Sequence, residues 1–246
     1  MIHKDEGVVL RAARSGETSR LVTFLGRQSG KVRLLAKGAL TEKSPLRGTL
    51  EPGNHVEVLY YFREGRTRYY AREVHVHSSL ETGRDSLGRL GAALAVLELL
   101  DGVCYWESPE PRIVDLLLDY LVCPAAEDPV LLFLVFELKL LAVLGAVPDF
   151  SACSVCGAGL AGGFFDPEQG ECACPGHTAP SSQRIALDAD LISLLGSLDR
   201  ETLPAAAGRK VAPDLRKRLG SVLHWTYTFH VQNYHLPESL RLIPKE

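Results

Sequence analysis

Short stretches of alternating apolar and polar residues fill the first third of the chain, and longer stretches of helical period fill the rest. Alternation over 6–14, 18–26, 30–37, 55–63 and 67–77 predicts five strands, separated by turn formers such as Gln28-Ser29-Gly30 and Glu51-Pro52-Gly53-Asn54. Within 55–63, Val56, Val58, Tyr60 and Phe62 fall on one face. Glu64-Gly65 reads as a hairpin turn. Five short strands in so few residues predict a small closed barrel, because closure leaves no exposed edge. An OB-type barrel is the best-sized choice, with an SH3-like barrel as the alternative.

The period changes near residue 80. Leu87, Leu90, Leu94 and Leu97 mark one stripe of a helix over 86–104. Pro109 and Pro111 introduce a second helix running to Val122, and 129–145 form a third, apolar almost all round and stopped by Gly145. Two further helices are predicted over 187–198 and 213–232, and the tail 237–246 is expected to be loosely attached. The fold class is thus α+β and multi-domain. Residues 1–79 form the barrel, 80–149 with 181–246 a helical domain, and 150–180 an inserted cysteine-bearing module.

The net charge of −3 is unevenly divided. Residues 1–78 carry 14 Lys and Arg against 8 Asp and Glu, and 79–150 carry 4 against 12. A basic barrel in an acidic chain calls for an anionic partner, and phosphate is the economical one. The candidate phosphate contacts are Arg14, Arg20, Lys31, Arg33, Lys37, Lys43 and Arg47. Alternation turns Val32, Leu34 and Ala36 inward and Lys31, Arg33 and Lys37 outward together. Tyr60, Tyr61, Tyr69 and Tyr70 are candidate stacking groups. A second basic cluster, Arg209-Lys210 with Arg216-Lys217-Arg218, is a candidate extension of the nucleic-acid track or a receptor for an acidic peptide.

Cys153-Ser-Val-Cys156 and Cys172-Ala-Cys174 lie in a glycine-rich, core-poor segment. A CxxC knuckle followed by a second thiol pair has the spacing of a zinc site, with Cys153, Cys156, Cys172 and Cys174 as expected ligands. Cys174-Pro-Gly-His177 offers His177 as a substitute. Four protein ligands leave no open position, so the zinc would be structural. Cys104 and Cys123 sit in apolar surroundings and read as core. His75 and His77 share a strand face and read most simply as incidental surface histidines, with metal binding as the alternative. Trp106 and Trp225 read as core or interface aromatics.

No pattern for a hydrolase nucleophile, a zinc hydrolase, a Walker loop or a dinucleotide loop occurs. The chain is therefore read as a binding protein and not an enzyme. The opening residues lack a secretory leader pattern, no apolar run is long enough to span a bilayer, and the cysteine usage suits a cytoplasmic compartment.

The segments Gly7-Val-Val-Leu-Arg11, Gly16-Glu-Thr-Ser-Arg20-Leu-Val22, Gly30-Lys-Val32, Ala36-Lys-Gly38, Leu50-Glu-Pro52 and Cys153-x-x-Cys156-Gly157 together resemble the RecO family of bacterial recombination mediators. The order of barrel, helical bundle, zinc module and closing helices matches as well. The resemblance implies an OB barrel, binding to single- and double-stranded DNA and annealing of complementary strands. It also implies partnership with RecR and with the single-stranded-DNA-binding protein (SSB), and help in loading recombinase onto SSB-coated DNA. Two departures stand out: Ala39-Leu40 replaces the family's basic residue after Ala-Lys-Gly, and the second metal pair is CxC, not CxxC. The alternative reading is a zinc-ribbon RNA-binding or transcription-associated protein on the same barrel.

Overall fold

The computed structural model describes residues 1–80, 87–124, 126–177 and 184–244. The predicted start of the first helix at residue 86 and the junction of the inserted module near 180 lie outside these residues. Two compact units emerge: Met1–Val122 with Pro237–Glu246, and Cys123–Leu236.

The first unit is built on β1 (Ile2–Ser15), β2 (Ser19–Gly26), β3 (Gly30–Ala36), β4 (His55–Tyr61) and β5 (Tyr69–Ser78). They close into a barrel in the order β1-β2-β3-β5-β4, with β1 pairing to β4. All pairings are antiparallel except β3 with β5. Inward positions at period two supply the core: Val22, Phe24, Val32, Leu34, Val56, Val58 and Tyr60 are all buried. The long β3–β4 connection sends Ala39, Leu46 and Leu50 back into the same core. That accounts for apolar residues inside an otherwise polar, basic loop. Asp5, itself buried, accepts from the amides of Gln28 and Ser29 and from Ser29 Oγ at 2.6 Å, which fixes the β2–β3 turn.

Two helices belong to this unit, α1 (Leu87–Val103) and α2 (Pro111–Leu121). The expected leucine stripe of α1 is buried only at its far end: Leu87 is exposed, Leu90 and Leu94 are half-buried, and Leu97 is buried. The small residues Gly91, Ala92 and Ala95 are buried beside Leu97, Leu99 and Leu100. The C-terminal tail takes up the space they leave, because a β-carbon at Gly91 would sit 3.1 Å from atoms of Leu242 and Ile243. The tail is accordingly docked, not loose. Its 3₁₀ turn, Glu238–Leu242, is anchored by the Glu98 carboxylate, which accepts from the amides of Glu238 and Ser239 and from Ser239 Oγ.

The second unit contains α3 (Pro129–Leu144), a three-stranded sheet of β6 (Gly163–Asp166), β7 (Glu171–Ala173) and β8 (Ile185–Leu187), then α4 (Ala189–Arg200), α5 (Leu203–Ala207) and α6 (Pro213–His230). Asp128 caps α3 and Gly145 ends it in the left-handed conformation that glycine adopts without strain. α3 is buried almost all round, including Glu137, and Tyr227 of α6 donates to the Glu137 carbonyl. Among the described residues no helix is long and apolar enough to cross a membrane.

Candidate nucleic-acid interface and metal centre

Strand register places Arg11 of β1 opposite Thr23 of β2, and Thr23 opposite Arg33 of β3, so the three make one row across the outer barrel wall. A bulge in β1 between Val9 and Arg11 sets that register. The β4–β5 connection contributes Arg66, Thr67 and Arg68. With Ala13, Leu21, Asp101 and Trp106 these residues line a cleft of about 620 Å³. Arg11, Arg33, Arg66 and Arg68 are all exposed. Four guanidinium groups beside an indole face offer the chemistry for phosphate recognition together with a stacking surface.

Trp106 reaches the cleft because the segment after α1 runs back along the barrel. It forms a parallel bridge with Lys31, and the Glu107 amide donates to the Lys31 carbonyl. Glu107 holds a left-handed backbone (φ 56°), and its carboxylate accepts from the Tyr69 hydroxyl. Arg33 lies 4.2 Å from the Trp106 ring centroid and Lys31 Nζ 4.5 Å from it. Both contacts are within cation–π range.

The seven basic residues read from the pattern separate here. Lys31 is a correction: it shares the outward face of β3 but is buried, only 3% exposed. Its ammonium donates to the Asp101 carbonyl in the last turn of α1 at 2.6 Å, where the helix dipole favours a cation. Burial pushes its pKa down. Alternation alone could not foresee that α1 and Trp106 cover this side chain. Arg33 lines the cleft. Arg20 is ion-paired to Glu51. Arg14 is exposed and donates to the Gly16 and Glu17 carbonyls of its own turn. Lys37 is exposed and lies 4.6 Å over the Tyr70 ring. Lys43 and Arg47 are exposed on the β3–β4 loop, away from the cleft lining. Of the four tyrosines, Tyr60 and Tyr69 are buried, whereas Tyr61 and Tyr70 are exposed. Sequence reading missed Arg11, Arg66, Arg68 and Trp106 as a group, because they converge only when the barrel closes.

In the second basic cluster four of the five cations have acidic partners, and Lys217 is exposed. Arg209 pairs with Glu201, Lys210 with Glu127, Arg216 with the nearly buried Asp128, and Arg218 with Asp188. These four cations are matched within their own unit.

In the second unit, the ligand atoms of Cys153, Cys156, Cys174 and His177 all lie within 4.8 Å of one another. His177 Nδ1 is 3.1 Å from Cys174 Sγ and 3.9 Å from Cys153 Sγ. Cys172 is not in this group, which corrects the four-cysteine expectation. It sits in β7 opposite Phe165, is buried, and has its thiol pushed up to about 12 by desolvation. The 3₁₀ turn Pro175–His177 folds the imidazole back instead. Amides of Cys174 and Cys156 hold the Cys153 thiol down at about 6, the thiolate side of neutral pH. Three sulfurs and an imidazole nitrogen so gathered suit a divalent metal ion.

The chain matches the family described as Recombination protein O N terminal over residues 1–80 and Recombination protein O C terminal over residues 84–239. It is 32% identical to the DNA repair protein RecO of Streptomyces griseus, across 91% of this chain and 94% of that one. It is 28% identical to the protein of the same name in Pelotomaculum thermopropionicum, across 94% and 90%, and 32% identical to that of Anaeromyxobacter sp. (strain K), across 84% and 83%. Barrel, helices and cysteine-bearing module therefore come together in a chain that belongs to the RecO family of DNA repair proteins.

Proposed function

We propose that this chain binds DNA through the arginine-lined cleft of an OB-type barrel and anneals complementary single strands. It would thereby help to load recombinase onto SSB-coated DNA in the bacterial cytoplasm, with RecR and SSB as partners. The observation that carries the reading is the row Arg11–Thr23–Arg33 joined by Arg66, Arg68 and the face of Trp106. Guanidinium groups neutralise phosphates on two approaching strands and lower their mutual repulsion. Stacking on an indole tolerates any base, so the binding is led by the backbone and not by sequence. No step in this work breaks or makes a covalent bond, and the reading includes no catalytic centre.

We also read Cys153, Cys156, Cys174 and His177 as the ligands of one structural zinc ion. Four protein donors leave no position for water, and the glycine-rich segment around them has little core of its own. The deciding experiment is annealing of complementary strands, bare and SSB-coated, with the natural chain and with an Arg33→Glu, Arg66→Glu variant. Acceleration by the natural chain and its loss in the variant are expected. No acceleration, or a clear preference for RNA over DNA, would overturn the reading in favour of an RNA-binding role.

A further inference from the structure

On the wall of the barrel formed by β1, β4 and β5, away from the arginine cleft, Glu6, His55 and His77 bring three donor atoms within 4.8 Å of one another. We propose that this trio is a second metal site, holding a borderline divalent cation such as Zn²⁺, Co²⁺ or Ni²⁺ through two imidazoles and one carboxylate. The geometry comes from strand register. Glu6 lies opposite Glu57 and Val8 opposite His55, so Glu6 and His55 are diagonal neighbours across the β1–β4 pair. On the other side of β4, Val56 pairs with Val76 and His55 with Ser78. The extra residue of that bulge is His77, and a bulge re-aims the side chain it carries. The rings of His55 and His77 are 4.8 Å apart, and His55 Nε2 is already 2.8 Å from Glu6 Oε1.

Three atoms no more than 4.8 Å apart admit a point within about 2.8 Å of each, so small side-chain rotations reach the 2.0–2.2 Å that nitrogen and carboxylate donors take to zinc. The neighbouring charges permit it. Arg27 is 3.9 Å from Glu6 but has its own, closer partner in Asp115 at 2.6 Å, and Glu57 is engaged by Lys4. Three strand-borne ligands hold the ion on a rigid support and leave at least one position for water or an incoming oxygen donor. This donor set contains no sulfur, which distinguishes it from the cysteine site.

Cobalt(II) titration of the full chain separates the two. A thiolate site yields strong near-ultraviolet charge transfer, whereas a site of two histidines and a glutamate yields only weak visible bands. The expected result is a saturable thiolate-free component that persists in a Cys153→Ser, Cys156→Ser variant. It should weaken at least about tenfold in His55→Ala and in His77→Ala and stay unchanged in His75→Ala. His77 is exposed, so His77→Ala leaves the core intact and decides the matter if His55→Ala does not fold. Absence of the thiolate-free component, or its undiminished persistence in His77→Ala, would overturn the proposal.

Discussion

The guanidinium of Arg33 lies 4.2 Å from the ring centroid of Trp106, joining a barrel strand to the segment that follows the first helix. This pairing turns a basic strand face into a cleft with an aromatic wall. It also orients both groups in advance, which would reduce the ordering cost of binding a ligand there.

Removing that wall should be costly for single strands. Trp106→Ala is expected to lower affinity for a labelled single-stranded oligonucleotide by about 1–3 kcal/mol, the usual worth of one stacked base. Fluorescence anisotropy at fixed salt measures it. An affinity equal to that of the natural chain would exclude Trp106 from the interface.

Arginines of the cleft should set the salt dependence. Arg33→Ala with Arg66→Ala is expected to weaken binding to all sequences alike and to flatten the log–log salt slope on single strands by about 0.7 for each phosphate no longer neutralised. Titrations from low to moderate salt provide the slope. A variant as salt-sensitive as the natural chain would move phosphate recognition elsewhere, for example to Lys43 and Arg47.

Lys31 should behave in the opposite way. Its ammonium is committed to the Asp101 carbonyl, so Lys31→Met is expected to cost about 1.5–3 kcal/mol of stability, as for a hydrogen bond to a charged group, and to leave DNA affinity nearly unchanged. Urea denaturation and oligonucleotide binding, run on the same preparation, separate the two effects. A large loss of affinity with unchanged stability would contradict the buried placement.

The ligand set of the cysteine module is testable residue by residue. Cys153→Ser and His177→Ala should each reduce the bound zinc measured on purified protein and lower thermal stability. Cys172→Ala should retain the zinc. Zinc lost with Cys172 and kept without His177 would restore the four-cysteine arrangement.

Glu137 is fully buried on α3, and its Oε1 has no hydrogen-bond partner among the described residues. Desolvation raises its pKa from 4.5 to about 8. A carboxyl that holds its proton more tightly when folded stabilises the fold fully below the unfolded value. That contribution is lost as pH rises from about 4.5 through about 8, by up to roughly 1.4 kcal/mol per pH unit. Glu137→Gln should therefore flatten the stability profile over this window and make the chain more stable than its natural counterpart at pH 8. Urea unfolding at pH 5 and pH 8 checks both the slope and its sign, and parallel profiles would show that Glu137 does not titrate there.

Much of the architecture is written in local pattern. Alternating apolar residues such as Val56, Val58 and Tyr60 determine strands whatever their neighbours do, because one face of each must be buried. Asp128 and Gly145 mark both ends of α3 by capping chemistry that needs no tertiary partner. The CxxC knuckle marks the candidate metal-binding segment by spacing alone.

Tertiary structure decided what local pattern leaves open. Alternation turns Lys31 and Arg33 to the same side, yet only packing of α1 against the barrel makes one a buried helix cap and the other a cleft residue. Of the leucine stripe of α1 only Leu97 is buried, whereas Gly91 is buried because the docked tail occupies the space beside it. Spacing could not choose between Cys172 and His177, since the choice depends on which side chain β7 buries and which the following turn folds back. Arg11, Arg66 and Trp106, like Glu6, His55 and His77, are scattered along the chain and become neighbours only through strand register and barrel closure. A one-dimensional pattern records which face a residue takes, whereas the partner across that face is set by the chain's return from far away.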